Sequence, residues 1–361
     1  MARVEIAFLL SDMLYWSTYR QNLLEAVAQR DDILPLVRTY TLPRWLKPLC
    51  KQNYARKLNK LPRLDPMVVA DWRLRPWWQR TRARHEVRAA LVVTHTLALP
   101  LATTAREIPF IPLLDYTRAA SLREFAGPGW TQTDVAREKE CLARAHHILV
   151  TNQWSLDSLR SEYGLSHEQA SLLPLSASVH HAQQRGQRTW SRPRVLFVGN
   201  SLQRKGFDRL LAWLDGPLQG LCELHVVSRE PVTQIRPGLV VHGRVPNQRL
   251  LSELMPNMDV LCLPTREDMA AGVVIEAGMC ALPSVASRVG GIPELIESGE
   301  TGYLVDKDDD EGFINALKLL LEDVELNQRM GENAFKRARR LYSSSAHFQN
   351  VLDRLVAAAS S

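Results

Sequence analysis

The 361-residue chain holds eighteen glycines, and none of them precedes Gly127. Backbone turns that wrap a phosphate ordinarily need glycine, so anion-binding chemistry is expected in the second half of the chain. Cysteine is sparse: Cys50, Cys141, Cys222, Cys262 and Cys280 are odd in number, widely spaced and form no CxxC or Cys/His ligand pattern. Neither a disulfide framework nor a zinc site is expected, and no metal is assigned. No apolar run approaches the ~18 residues that a bilayer span requires. The opening MARVEIAFLLSDMLYW carries Arg3 and Glu5 too early for a signal peptide, and a cytoplasmic location is the expectation.

What is present is ordinary in amount and uneven in placement. Hydrophobic residues make up 45% and charged residues 23%, as in soluble globular proteins, and the length favours two domains. Residues 1–185 hold 25 Lys/Arg against 17 Asp/Glu, a balance of +8, whereas the remainder holds 20 against 22, or −2. From Arg44 to Arg88 the cations are interleaved with Trp45, Trp72, Trp77 and Trp78. That mixture suits either a solvated charged helical face or an anionic membrane surface, with the protein peripheral on the inner membrane face. No nucleic-acid motif accompanies the charge, and no nucleic-acid partner is expected.

Strand and helix patterns alternate twice. VEIAFLL reads as a buried strand, Ser11 to Thr18 as a loop and Tyr19 to Gln29 as a helix; AALVVTH and IPFIPLLD follow as strands ending at His95 and Asp115. HHILVTN and ASLLPL flank a helix capped by Asn152 or Ser155 and stopped at Gly164. The polar stretch from His180 to Pro193 reads as a linker, after which RVLFVGN, CELHVVS, LVVHGRV, NMDVLCLPT, LPSVAS and TGYLV repeat the strand pattern between helices. Such alternation predicts α/β domains with parallel sheets and ligands at the strands' C-terminal ends. The expected boundaries are 1–185, 193–340 and a terminal helix over 341–361 returning to the first domain.

The densest local pattern is PTREDMAAGVVIEAGMCALPSVAS. Two carboxylates, Asp268 and Glu276, straddle Gly272, where a loop feeds a helix N-terminus. Unpaired N–H groups and the positive dipole end suit an anion such as a diphosphate. A solvated helix start is the plain alternative, since acids favour the first turn.

In order, FVGNSLQRKGFDRLL, HGRVPNQRLLSEL, MDVLCLPT, the Asp268/Glu276 pair and VASRVGGIPELIESGETGYLV resemble the nucleotide-binding domain of family 4 glycosyltransferases from about Val195 to Asp310. The resemblance implies the GT-B fold: two doubly wound Rossmann-like domains facing each other across a cleft, the first for acceptor and the second for a UDP- or GDP-sugar. It also implies a retaining, metal-independent transfer to a glycan or lipid-linked acceptor, with no cofactor beyond the nucleotide-sugar donor.

By the same resemblance Lys205 is the diphosphate cation, Gly199 and Gly206 admit close backbone approach, and Glu276 binds ribose hydroxyls. Met269, Ala270, Ala271, Gly272 and Val273 line diphosphate and sugar, and Arg244 and Val245 lie near the base. The chain departs from the pattern at Asn200, where the family carries Arg and where Arg204 can compensate. It departs again at Asp268, where the family carries Glu; Glu267, one residue out of register, is the alternative acid. His95 and Asp115 are the first-domain candidates to meet the donor sugar. The two departures motivate a second reading, a non-catalytic nucleotide-sugar-binding relative. Another GT-B enzyme such as a sugar-nucleotide 2-epimerase is the third.

Overall fold

The computed structural model describes residues 3–12, 15–50, 64–104, 107–125, 130–176, 181–186, 191–342 and 344–360. The chain divides into two compact units, Met1–Ser176 with Ser345–Ser361, and Ala177–Ser344.

The first unit is built on strands β1 (Val4–Ser11), β2 (Ile33–Tyr40), β3 (Ala89–Val93), β4 (Phe110–Leu114), β5 (Ile148–Val150) and β6 (Ala170–Leu172), in the order β2-β1-β3-β4-β5-β6. All pairings are parallel. Every residue of β3 and β4 is buried, as expected where apolar groups cover both faces of a parallel sheet. Strand β2 has no counterpart in the sequence reading, because Pro35 and Arg38 interrupt its apolar run. It lies at the sheet edge, where a missing N–H is tolerated, and only Ile33 and Tyr40 are buried. The first helix begins at Tyr15 rather than Tyr19, which shortens the expected loop.

Residues 51–63 of the Arg44–Arg88 stretch, including Lys51, Arg56, Lys57, Lys60 and Arg63, lie outside the described residues. The stretch beyond them forms a 19-residue helix, Pro66–Arg84. Asp65 caps it by accepting from the Met67 N–H (2.9 Å), and Pro66 needs no N–H in the first turn. Met67, Ala70, Leu74 and Trp78 recur at helical spacing and are buried in the sheet's core cluster, and Thr81, one turn on, is buried as well. The helix Ser344–Ser360 packs Phe348, Val351, Leu352 and Leu355 against Ile6, Phe8, Tyr19 and Leu23. His347 anchors it, 2.8 Å from the Tyr19 hydroxyl and 2.9 Å from the Pro174 carbonyl.

The second unit repeats the plan with β7 (Arg194–Val198), β8 (Glu223–Val227), β9 (Leu239–Gly243), β10 (Val260–Leu263), β11 (Ser284–Ser287) and β12 (Gly302–Val305), ordered β12-β11-β10-β7-β8-β9. Chain connections leave β7 and β10 in opposite directions, so a crevice opens between their C-terminal ends. The polar stretch read as a linker is partly bound to this unit: the Arg185 N–H donates to the Cys280 carbonyl (2.9 Å) and its guanidinium to the Asp259 carbonyl (3.0 Å). Among the described residues, no helix is long and apolar enough to cross a membrane.

Candidate functional site

The crevice between β7 and β10 is walled by two loops that hold each other. After β7 the chain turns through residues 199–206 and enters the helix Phe207–Asp215 at Gly206, whose φ is +79°. After β10 the residues 264–271 lead to the helix Gly272–Met279, whose start has no side-chain cap. The Arg266 N–H donates to the Arg204 carbonyl (2.9 Å), and the Arg204 guanidinium donates to the Glu267 carbonyl. Arg266 also reaches both carboxylate oxygens of Asp208 (2.8 and 2.7 Å). Buried Arg209 donates to the carbonyls of Pro264 (3.2 Å) and Lys307 (2.6 Å).

Within this frame Lys205 forms an ion pair with Asp268, both side chains nearly buried at 13% and 10% exposure. Burial holds the Lys205 ammonium below the ordinary lysine range; Asp268 offsets part of that and Arg204 adds to the depression. The acid facing Lys205 is therefore Asp268, while Glu267 contributes its backbone carbonyl to the Arg204 contact. Arg204 itself is engaged as a clamp between the loops.

The neighbouring glycines explain how the loops come so close. A Cβ on Gly199 would lie 3.0 Å from both Lys205 Cγ and Phe197 Cζ. Gly290 has φ +53°, and a Cβ there would fall 2.0 Å from the Asp268 carbonyl oxygen. The Gly291 N–H donates to the Met269 carbonyl at 3.0 Å. The Gly-Gly pair thus seats the backbone of Asp268 and Met269.

Glu276 is buried on the helix Gly272–Met279, and its Oε1 accepts from Asn247 Nδ2 at 2.9 Å. Burial raises its pKa to about 7, with the Asn247 bond pulling the other way. Asn247 was invisible in the sequence, where it reads only as a polar residue after Pro246. Asn200 Oδ1 accepts from the Arg229 N–H (3.1 Å) and ties the β7 turn to the chain after β8. Arg244 is exposed and Val245 half-buried, following Gly243 at φ +64°. Met269, Ala270, Gly272 and Val273 are half-buried around the same helix start, with Ala271 buried.

The first unit's candidates sit in a different environment. His95 follows β3 directly after Thr94, a non-glycine residue at φ +74°, and is only 1% exposed. Its Nδ1 lies 3.1 Å from Glu138 Oε1. Burial lowers the His95 pKa to about 3, assisted by Arg118, and raises that of Glu138 to about 7 against the pull of Arg118. Glu138 accepts from the Arg118 N–H (2.8 Å) and the Tyr163 hydroxyl.

Fully buried Arg118 reaches both oxygens of Asp65 (2.6 and 3.1 Å) and lies 4.5 Å over the Trp130 ring. Burial alone would raise the Asp65 pKa, but Arg118 overrides it and holds the carboxyl at about 2. Asp115 accepts through its carbonyl from Asn152 (2.7 Å) and Ser155 (3.1 Å). The structure therefore places His95 in a buried polar network whose other members, Asp65, Arg118 and Glu138, carry no sequence signal beyond ordinary surface charge.

Two doubly wound parallel sheets, the second with a cation, two acids and an uncapped helix start around its switch point, define a two-domain GT-B fold. The whole chain superposes on a sucrose-phosphate synthase from Thermosynechococcus elongatus with a TM-score of 0.81, at 18% identity over 99% of this chain and 100% of that one. It also superposes on Anabaena HepE in complex with UDP and glucose, with a TM-score of 0.74 at 15% identity, covering 98% and 100% of the two chains. Residues 192–323 match the family described as glycosyl transferases group 1. N-acetyl-alpha-D-glucosaminyl L-malate synthase of Bacillus anthracis is 30% identical over 186 residues, 50% of this chain and 43% of that relative's length. The stretch that matches this family lies within the second unit and is similar to group 1 glycosyl transferases, in line with the motifs that resemble family 4.

Proposed function

We propose that the protein transfers a sugar from a UDP- or GDP-linked donor to a glycan or lipid-linked acceptor, with retention and without a metal ion. The observation that carries this reading is the Lys205–Asp268 pair, buried beside the helix start at Gly272 and a short way from Glu276 in sequence. As the bond from the sugar's anomeric carbon to the phosphate oxygen breaks, its electron pair stays on the diphosphate. Lys205 and the first-turn N–H groups supply positive potential there. The entering diphosphate competes with Asp268 for the ammonium, which releases the Asp268 carboxylate to accept from a sugar hydroxyl. The acceptor oxygen bonds the anomeric carbon on the face the phosphate leaves, and its proton passes to the departing phosphate oxygen, so no protein base is assigned. Arg244 and Val245 are proposed to flank the base, and Glu276 to accept from the ribose.

A thermal-shift panel of UDP-, GDP- and ADP-sugars tests the donor. At about 100 times its dissociation constant, a donor adds roughly 2.7 kcal/mol to the domain that binds it, enough to raise the midpoint by several degrees. No shift with any of them would overturn the reading; a shift without turnover or slow hydrolysis would establish the non-catalytic alternative.

The Glu276 assignment has its own pH signature. Folding raises this carboxyl from 4.5 to about 7. Its contribution to apo stability is therefore complete below the unfolded value and is lost as pH rises through about 7. Ribose binding has the opposite slope, because the ionised carboxylate is the stronger acceptor. Donor affinity should increase as pH rises through about 7, and Glu276→Gln should flatten both trends relative to wild type. Identical pH profiles in the two proteins would remove Glu276 from the donor site.

A further inference from the structure

The helix Pro66–Arg84 presents a second face that its core packing does not use. Opposite the buried seam of Met67, Ala70, Leu74 and Trp78, the residues Val68, Trp72, Pro76, Arg80 and Arg84 recur every four positions and are all exposed. Trp72 is 65% exposed and Val68 44%, so the apolar part of the stripe lies toward the helix N-terminus and the cationic part toward its C-terminus. Arg73, also exposed, flanks Trp72.

The acids that could neutralise this face are committed elsewhere. Asp71 is bound by Arg75 at 2.6 Å, and Asp65 is held by Arg118. Among the described residues, no carboxylate pairs with Arg73, Arg80 or Arg84. A second exposed ring, Trp45 at 66% exposure, precedes the short helix Lys47–Cys50, whose Leu49 carbonyl accepts from the Leu64 N–H at 3.0 Å, two residues before the long helix begins.

An exposed tryptophan costs free energy in water that a polar residue would not, and unpaired arginines beside it add local positive potential. Rings and aliphatic groups that enter the headgroup layer beside cations that meet anionic headgroups are the combination by which a helix lies in a membrane interface. A soluble acidic partner would satisfy the arginines, but nothing in its charge calls for two exposed indoles.

We propose that this face docks the protein on an anionic lipid bilayer, with Trp72 and Val68 entering the interface and Arg73, Arg80 and Arg84 binding phosphate headgroups. The proposal concerns the first unit alone and stands or falls separately from the donor reading of the second.

Co-sedimentation of the full chain with vesicles of phosphatidylglycerol and phosphatidylcholine, and with vesicles of phosphatidylcholine alone, tests it. The expected result is binding to the anionic vesicles only, weakened about a hundred-fold in the triple variant Arg73→Gln/Arg80→Gln/Arg84→Gln. Trp72→Ala is expected to weaken binding by roughly ten-fold while leaving its salt dependence unchanged, because it removes apolar burial and no charge. All four side chains are exposed, so thermal midpoints should stay at the wild-type value. Absence of binding to anionic vesicles, equal binding by the triple variant, or retention on polyglutamate without binding to vesicles would each overturn the proposal.

Discussion

Lys205→Ala is expected to lower kcat by about 10²- to 10³-fold, the usual consequence of removing one preorganised donor from a developing negative charge. The expectation rests on position and environment together. Lys205 is nearly buried beside Asp268, so water does not screen its charge as it would a surface lysine's. Removing it also leaves Asp268 without its partner, and an uncompensated buried carboxylate costs stability in its own right.

The two effects separate by measurement. Turnover per folded molecule, obtained from activity normalised to the native fraction in the same sample, reports on the leaving diphosphate. A purely structural pair would lower the thermal midpoint and leave turnover per folded molecule at the wild-type value, and that result would sink the catalytic assignment. Asp268→Asn supplies the complementary case, since it keeps the ammonium and removes the acid that competes with the diphosphate.

The largest stability effect is expected at Gly206. With φ at +79°, a Cβ there would lie 2.0 Å from the Pro264 carbonyl oxygen and 2.8 Å from its carbon. Left-handed backbone costs an L-residue about 1 to 2 kcal/mol. The overlap adds to this, because relieving it requires the turn after β7 to move away from the end of β10. Gly206→Ala should therefore destabilise the second unit by more than about 4 kcal/mol, in the range reserved for clash and strain combined.

Gly220 is the internal control. Its φ is +74°, yet a Cβ there would meet nothing within 4 Å. Gly220→Ala should show the conformational cost alone, about 1 to 2 kcal/mol. Equal midpoints for the two variants would show that the approach of Gly206 to Pro264 is not what holds these loops together. The Gly206 variant should also lose the donor-induced thermal shift, since Lys205 is the adjacent residue.

Much of the fold was legible because parallel strands buried on both faces announce themselves as continuous apolar strings. AALVV, RVLFV and VLCL are each strands in the structure. Strand β2 was not legible, because an edge strand tolerates the proline and the exposed charges that usually mark a loop. In the site, the Asp268/Glu276 segment and Lys205 stood out through strand-end position and family resemblance. Asn247, Asp65, Arg118 and Glu138 did not, since a polar residue bound by a distant partner has the same local sequence context as a solvated one.

The amino-acid order alone determined two rounds of strand and helix, a glycine-free first segment and a second half in which an anion site could form. Those properties follow from local periodicity and from backbone freedom at individual residues. Only the tertiary structure decided that Lys205 meets Asp268 while Glu267 gives its carbonyl to Arg204, that Asn247 reaches Glu276, and that His95 lies among buried charges. These pairings join residues far apart in the chain, and their electrostatics depend on how completely packing excludes water. Strand order brought β7 beside β10, and that adjacency turned a lysine and an aspartate 63 residues apart into one buried pair.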